Sequence, residues 1–285
     1  MSAERVRIEI ADLVATVTLA RADKHNALDA GMFAGLIAAA DRLRTEPGVR
    51  AVVLHGEGKS FCSGLDVASF MSGPMSFDEL LGRPEGQLAN IAQRVATDWA
   101  AVPVPVIAAI HGNCFGGGLQ IALGADLRIA APGAQLSVME VKWGLVPDMG
   151  ITQTLPRLLG IDRAKELTFT GRRVGGVEAE RLGLVTSLAD DPLAAARTLA
   201  AEIAGRSPDA IRAAKLLYDR AWAGLPAAEA LRLETELQVG LMGAPNQIAA
   251  VTAAMTGEPG AFTDPGAPGQ PARQPVTFSP TSNDE

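Results

Sequence analysis

Two glycine-bearing stretches and two carboxylates carry the residue types and spacings in this sequence that could do chemistry. HGNCFGGGLQ, residues 111–120, places Gly116, Gly117 and Gly118 at the start of an apolar helical pattern. Glycine costs roughly 1 kcal/mol against alanine inside a helix. At a helix N-terminus that cost shrinks, and the bare backbone lets a ligand reach N–H groups that have no intrahelical partner. Those donors, with the positive end of the helix dipole behind them, suit an anion or an oxygen that becomes negative during reaction. FCSGLD, residues 61–66, is a second loop of this kind. Each loop follows an apolar strand pattern, so both could open at the same edge of one sheet. Two N–H groups converging on one oxygen make an oxyanion hole, where losing one donor costs about 3 kcal/mol.

Downstream lie Glu140 and Asp148, separated by VKWGLVP. A carboxylate after a strand and another on a turn tethered by Pro147 could approach opposite faces of a substrate. Such a pair suits moving a proton from one carbon to another, or activating a water. An ordinary exposed acid at 140 and a helix N-cap at 148 are readings of equal standing. Gln120 lies about one helical turn past Gly117, so its side chain can share a face with that backbone. Cys62 and Cys114 read as small buried apolar residues rather than nucleophiles, since no neighbouring base is visible. His111 reads as a satisfied histidine at a strand end, with a substrate contact as the alternative.

The elements that must position these residues follow from hydrophobic periodicity. Apolar runs predict strands at 6–10, 14–19, 51–54, 104–110, 127–130 and 135–138. A helical pattern runs from Leu28 through Met32, Leu36, Ala40 and Leu43, with Asn26 as its expected N-cap and Asp29 resembling the far member of a capping box. Strands and helices in that mixture indicate an α/β class with a largely buried sheet. Beyond about residue 190 the pattern turns helical, with helices expected at 192–204, 208–223, 226–241 and 246–255 and prolines near several starts. Residues 69–87 are expected to be an apolar loop, either walling a hydrophobic ligand pocket or simply packed on the core. The division expected is a core over 1–195, a helical region over 196–256 and a disordered Pro/Gly-rich tail over 257–285.

Composition narrows the classes. The net charge of −7 argues against nucleic-acid binding. No apolar run reaches the roughly 18 residues of a membrane span, and MSAERVRIEI lacks the apolar segment of a signal peptide. Two cysteines and three scattered histidines show no zinc-like spacing, so no metal is expected and the usage fits a reducing cytoplasm.

RADKHNALD at 21–29, KSFCSGLD at 59–66, PVIAAIHGNCFGGGLQIALGADLRIA at 105–130 and MEVKWGLVPDMG at 139–150 together resemble the crotonase superfamily, the enoyl-CoA hydratases and isomerases. The resemblance covers residues 5–255. It implies a crotonase-like spiral of repeated ββα units with a C-terminal helical oligomerisation region, a homotrimer or dimer of trimers, and an acyl-CoA thioester substrate. No cofactor is implied beyond the coenzyme A that the substrate carries. Carried over by position, the N–H groups of Leu65 and Gly117 would hold the thioester carbonyl. The coenzyme would lie near Lys24, Ala27 and the Ser63–Gly64–Leu65–Asp66 loop, with Gly116 and Met139 also at the substrate. Lys24 and Lys59 would meet phosphates as point charges, or serve only as solubilising lysines.

Hydratases of this superfamily place glutamates at the positions of both Gln120 and Glu140. Here the first is an amide, which cannot accept a proton at neutral pH. Dienoyl-CoA isomerases carry acids at the positions of Gln120, Glu140 and Asp148, and this chain keeps two of them. The resemblance therefore implies fatty-acid degradation, with double-bond isomerisation favoured over hydration. Glu140 would be the principal acid/base, Asp148 the second proton-transfer group and Gln120 a positioning amide. Thioester hydrolysis, a dehalogenase-like route through Asp148, and a non-catalytic acyl-CoA binder are the alternatives.

Overall fold

The computed structural model describes residues 4–72 and 76–264. It divides into two compact units, Met1–Gly205 and Arg206–Glu285.

The first unit is built on a six-stranded sheet in the order β1-β2-β3-β4-β6-β9, where β1 is Val6–Ala11, β2 Val14–Leu19, β3 Ala51–Gly56, β4 Val106–Ile110, β6 Leu127–Ala130 and β9 Ser187–Leu188. In this sheet the β1–β2 hairpin is antiparallel, and β2, β3, β4, β6 and β9 run parallel. Parallel strands covered on both faces read as continuous apolar runs, and β2 and β4 are buried along their whole length. A second, three-stranded sheet joins β5 (Asn113–Phe115), β7 (Gln135–Ser137) and β8 (Val174–Gly175). Isolated bridges Cys62↔Cys114 and Leu28↔Leu65 extend this layer across the loops. Thus β4 and β6 each lie in the main sheet, and the strand that follows each of them lies in the second. That alternation is the ββα repeat.

Helices fill the gap and cover the back. Helix α1, Ala30–Leu43, buries Met32, Phe33, Leu36, Ala39, Ala40 and Leu43. Helices α2 (Val67–Ser72), α3 (Phe77–Leu81), α4 (Ile91–Thr97), α5 (Gly117–Leu123), α6 (Ile151–Thr154), α7 (Ile161–Thr170) and α8 (Gly176–Leu182) follow in order. Helix α9, Pro192–Ala204, lays a stripe of Ala196, Ala200 and Ala204 on Val53, Ile107 and Ala109 of the opposite sheet face. Small side chains at that spacing let the helix approach the sheet closely.

Helices α10 (Pro208–Trp222), α11 (Ala227–Leu241) and α12 (Pro245–Thr256) make up the second unit. Within it, buried Asn246 donates to Asp209 (2.7 Å) and to the Thr263 carbonyl (2.9 Å), and accepts from the Thr263 N–H at 2.9 Å. Of the expected tail, 257–264 falls within this description and 265–285 lies outside the described residues.

Two local expectations are corrected. The N-cap of α1 is Asp29, whose carboxylate accepts the Met32 N–H at 2.9 Å, and not Asn26. Asn26 is buried with φ 54°, and its amide donates to the carbonyls of Glu57 and Ser60 instead. Residues 69–87 are only partly loop. Ser76 and Glu79 form a reciprocal capping box that starts α3. Phe70 packs edge-on against Phe33 and stacks on Phe77, so this segment is tied to α1 by aromatic contacts.

Candidate active site

The two glycine loops do meet. Cys62 and Cys114 pair as bridge partners, with the Phe115 N–H donating to the Cys62 carbonyl at 3.0 Å and the Cys62 N–H to the Asn113 carbonyl at 3.1 Å. Leu65 and Gly117 each lie three residues beyond that pair, so one register sets both. Gly64 has φ +92°, and a methyl group there would sit 2.9 Å from the Phe115 carbonyl oxygen and 3.7 Å from the nitrogen of Gly117. Only glycine allows the backbones so near each other. Gly117 opens α5, so its N–H has no intrahelical acceptor. Among the described residues, neither that N–H nor the Leu65 N–H donates to a protein acceptor.

Glu140 begins a short 3-10 turn, Glu140–Trp143, and its Oε1 lies 3.4 Å from where a methyl group on Gly116 would be. Gln120, only 1% exposed, donates from Nε2 to Glu140 Oε1 at 2.6 Å and accepts the Met149 N–H on Oε1 at 2.9 Å. The orientation of the amide is forced, because the Met149 N–H is a donor and must face the oxygen. Gln120 therefore links the glycine helix to both acid-bearing segments, the Glu140 turn and the turn holding Asp148. Oε2 of Glu140 is buried and has no partner among the described residues. Burial, reinforced by the charge of Asp148, holds the Glu140 carboxyl above its ordinary value, while the hydrogen bond from Gln120 pulls the other way. Burial also raises Asp148, although that residue keeps exposed surface. Asp148 is not a helix cap: α6 is preceded by Gly150 and has no side-chain cap.

Met149 and Leu28 close the space beside Gly117. Met149 Sδ would lie 2.7 Å, and Leu28 Cδ1 2.9 Å, from a methyl group on that glycine. The expected coenzyme-facing residues are also gathered. The Ser63 N–H donates to the His25 carbonyl (2.9 Å), the Leu28 N–H to Gly64 (2.8 Å) and the Asp66 N–H to Leu28 (3.0 Å). This knits the turn carrying Lys24 and Ala27 to the 63–66 loop. Lys24 and Lys59 are exposed, and Met139 precedes Glu140 directly. His111 is satisfied by the Gly58 carbonyl at 3.0 Å. Both cysteines are buried, and burial pushes the Cys62 thiol up to about 12 and raises Cys114 well above its ordinary value, so neither supplies a thiolate near neutral pH.

A family model described as enoyl-CoA hydratase/isomerase matches residues 9–248. The chain belongs to that family. Enoyl-CoA hydratase domain-containing protein 2 of Bos taurus, a mitochondrial protein, is 38% identical over 217 residues, which is 73% of this chain and 70% of the relative. The mitochondrial Delta(3,5)-Delta(2,4)-dienoyl-CoA isomerase of Rattus norvegicus is 36% identical over 220 residues, 72% of this chain and 65% of the relative. Among solved structures, an enoyl-CoA hydratase from Mycobacterium tuberculosis H37Rv superposes with TM-score 0.80 at 29% identity, covering 91% of this chain and 99% of that one. It is a hydratase/isomerase-family enzyme with the crotonase fold. Among the described residues no helix is long and apolar enough to cross a membrane, and no cluster of His, Cys, Asp and Glu could hold a metal.

One residue passed over in the sequence is Arg21. A charged residue two positions after a fully buried strand was the available signal, and its guanidinium is buried between the carboxylates of Asp29 and Asp66.

For Glu140 acting as the expected base, the raised carboxyl has a kinetic consequence. A general base works deprotonated, and kcat/KM reports the ionisation of the free enzyme. The rate is expected to fall with acidification along a limb centred above the ordinary glutamate value of 4.5. A pH series of kcat/KM checks this; a limb at or below that value contradicts it.

Proposed function

We propose that the enzyme takes an unsaturated fatty acyl-CoA thioester and shifts its double bonds through an enolate. The thioester oxygen accepts hydrogen bonds from the N–H groups of Leu65 and Gly117. Glu140 removes a proton from the carbon next to the carbonyl, and the electron pair delocalises onto the oxygen those donors hold. With a conjugatable second double bond, Asp148 returns a proton at the far end of the system, giving an isomer of the same mass. The coenzyme moiety lies along Lys24, Ala27, Lys59 and the 63–66 loop, with Gly116 and Met139 also at the substrate.

The observation that carries this reading is the occupancy of Gln120. Its amide gives one N–H to Glu140 and accepts the Met149 N–H on its oxygen. It holds the base in place and has no lone carboxylate to share a water with, whereas the buried Oε2 of Glu140 is left as an acceptor. One base beside a second, separate acid suits a proton shift better than a water held by two carboxylates. In this reading the enzyme serves fatty-acid degradation in the cytoplasm and needs no cofactor beyond the coenzyme A of its substrate. Exposed Leu231, Ile248 and Met255 on α11 and α12 support association into a trimer or a dimer of trimers.

Mass spectrometry on purified protein given enoyl-, dienoyl- and hydroxyacyl-CoA esters tests the assignment. An isobaric product from the dienoyl ester is expected. Gain of one water as the main reaction would make it a hydratase, release of free coenzyme A a hydrolase, and tight binding without product a non-catalytic binder.

A further inference from the structure

We propose that Arg21 is a positioning residue that aims the Leu65 N–H, by clamping the 63–66 loop to the turn that carries Ala27. The inference rests on the oxyanion reading above.

Arg21 follows β2 and is 9% exposed. Its Nη1 donates to the Ala27 carbonyl at 3.0 Å and pairs with Asp66 Oδ2 at 2.7 Å, while its Nε lies 3.4 Å from Asp29 Oδ2. One planar fork thus binds three groups on two segments: the Ala27 carbonyl and the N-cap Asp29 in the connection before α1, and Asp66, the residue next to Leu65. Asp66 is also loaded from the other side, with the Ser69 N–H on Oδ1 at 3.1 Å and the Ser69 hydroxyl on Oδ2 at 2.7 Å. Hydrogen bonds from Ser69, together with Arg21, hold the Asp66 carboxyl down at about 2, so it stays charged across the assay range. Across to the start of α1, the main-chain bonds on each side of Leu65 run to Leu28: the Leu28 N–H reaches Gly64, and the Asp66 N–H reaches Leu28, while the Leu65 and Asp66 carbonyls accept the Val67 and Phe70 N–H groups farther along their own segment. The two bonds with Leu28 fix the height of the loop. The direction of the peptide between Gly64 and Leu65, with φ +92° at Gly64, depends on where Asp66 is anchored.

The other ion pair in the cluster is peripheral to this. Arg5 binds Asp29 at 2.9 Å and has no bond to the 63–66 loop among the described contacts. Lysine cannot substitute for the fork at position 21, because a point charge cannot serve a carbonyl and a carboxylate with fixed geometry.

The test binds a saturated, unreactive thioester, butanoyl-CoA labelled at the carbonyl carbon, to full-length protein and records the carbonyl stretch by infrared difference spectroscopy, alongside kcat and KM on the active ester. Wild type is expected to lower the stretching frequency of the bound thioester. Arg21→Lys is expected to move the band back toward its free position and to lower kcat by about 10²-fold, the cost of an ångström-scale misplacement, with the acid limb of the pH profile unchanged. Arg5→Gln is expected to keep the wild-type band and kcat. Should Arg21→Lys fail to fold, Asp66→Asn weakens the same clamp and is expected to move the band in the same direction. A folded Arg21→Lys or Asp66→Asn protein with the wild-type band and kcat overturns the role of Arg21. A wild-type protein that binds butanoyl-CoA with no band shift overturns the oxyanion reading itself.

Discussion

Glu140→Gln is expected to lower kcat by about 10²–10⁴-fold, the contribution of a positioned general base, while KM for the acyl-CoA ester changes little. The reason is local. The substituted amide keeps its size and can still accept the Gln120 Nε2–H now made to Oε1 at 2.6 Å, so geometry survives and only the proton acceptor is lost. The same variant should be more stable than wild type at pH 7. Burial raises the folded carboxyl above 4.5, so the native state binds the proton more tightly than the unfolded chain does. Stability is then lost as pH rises from the unfolded value through the folded one, and at neutral pH the full cost of the buried charge is present. Glutamine removes that cost. Thermal unfolding should give a higher Tm for Glu140→Gln at pH 7, with the difference shrinking as the pH falls through the raised folded value and gone below about 4.5, where Glu140 is protonated in the folded and unfolded chain alike. Unchanged turnover would remove Glu140 as the base. A lower Tm at neutral pH would mean that its charge stabilises the fold.

Gly64→Ala is expected to damage both stability and turnover. A non-glycine residue at φ +92° costs about 1–3 kcal/mol in strain. The added methyl would also stand 2.9 Å from the Phe115 carbonyl oxygen, in a backbone that the Cys62–Cys114 bridge holds in register. Relief requires the 63–66 loop to move away from the start of α5, which separates the two N–H donors. Losing one oxyanion donor costs about 10²–10³ in kcat, and that is the size of loss expected beyond any fall in Tm. Gly133→Ala is the matched control, because a methyl there meets nothing within 4 Å; it should leave kcat and Tm near wild type. Kinetics on folded Gly64→Ala protein equal to those of Gly133→Ala would separate the loop geometry from catalysis.

Much of this architecture was legible in the residue pattern, and what was not has identifiable causes. Strands β2, β3 and β4 are apolar runs because the sheet is covered on both faces, so their positions follow from composition alone. The strand β5 inside HGNCFGGG escaped notice, since three residues in the second layer have no periodicity to display. The cap of α1 was misplaced because Asn26 spends its amide on carbonyls more than 30 residues away, at Glu57 and Ser60. Local spacing cannot register such bonds. By contrast, the capping boxes at Ser76 and Asn90 are local, Ser-x-x-Glu and Asn-x-x-Gln, although glycines and prolines lie between the two helices they start. At the site, the glycine loops and both acids could be picked out. The interlock of Gln120 with Glu140 and Met149 could not, because it depends on a 3-10 turn and a buried amide that only packing brings together. Arg21 is a related case: besides Ala27 and Asp29 in its own connection, it pairs with Asp66, 45 positions away in the 63–66 loop.

The central claim is tested most directly by a crystal structure of the protein with butanoyl-CoA. The account predicts the thioester oxygen about 2.7–3.1 Å from both Leu65 N and Gly117 N, with the adjacent carbon facing the free oxygen of Glu140. A carbonyl bound elsewhere, or held by only one of the two amides, would contradict it.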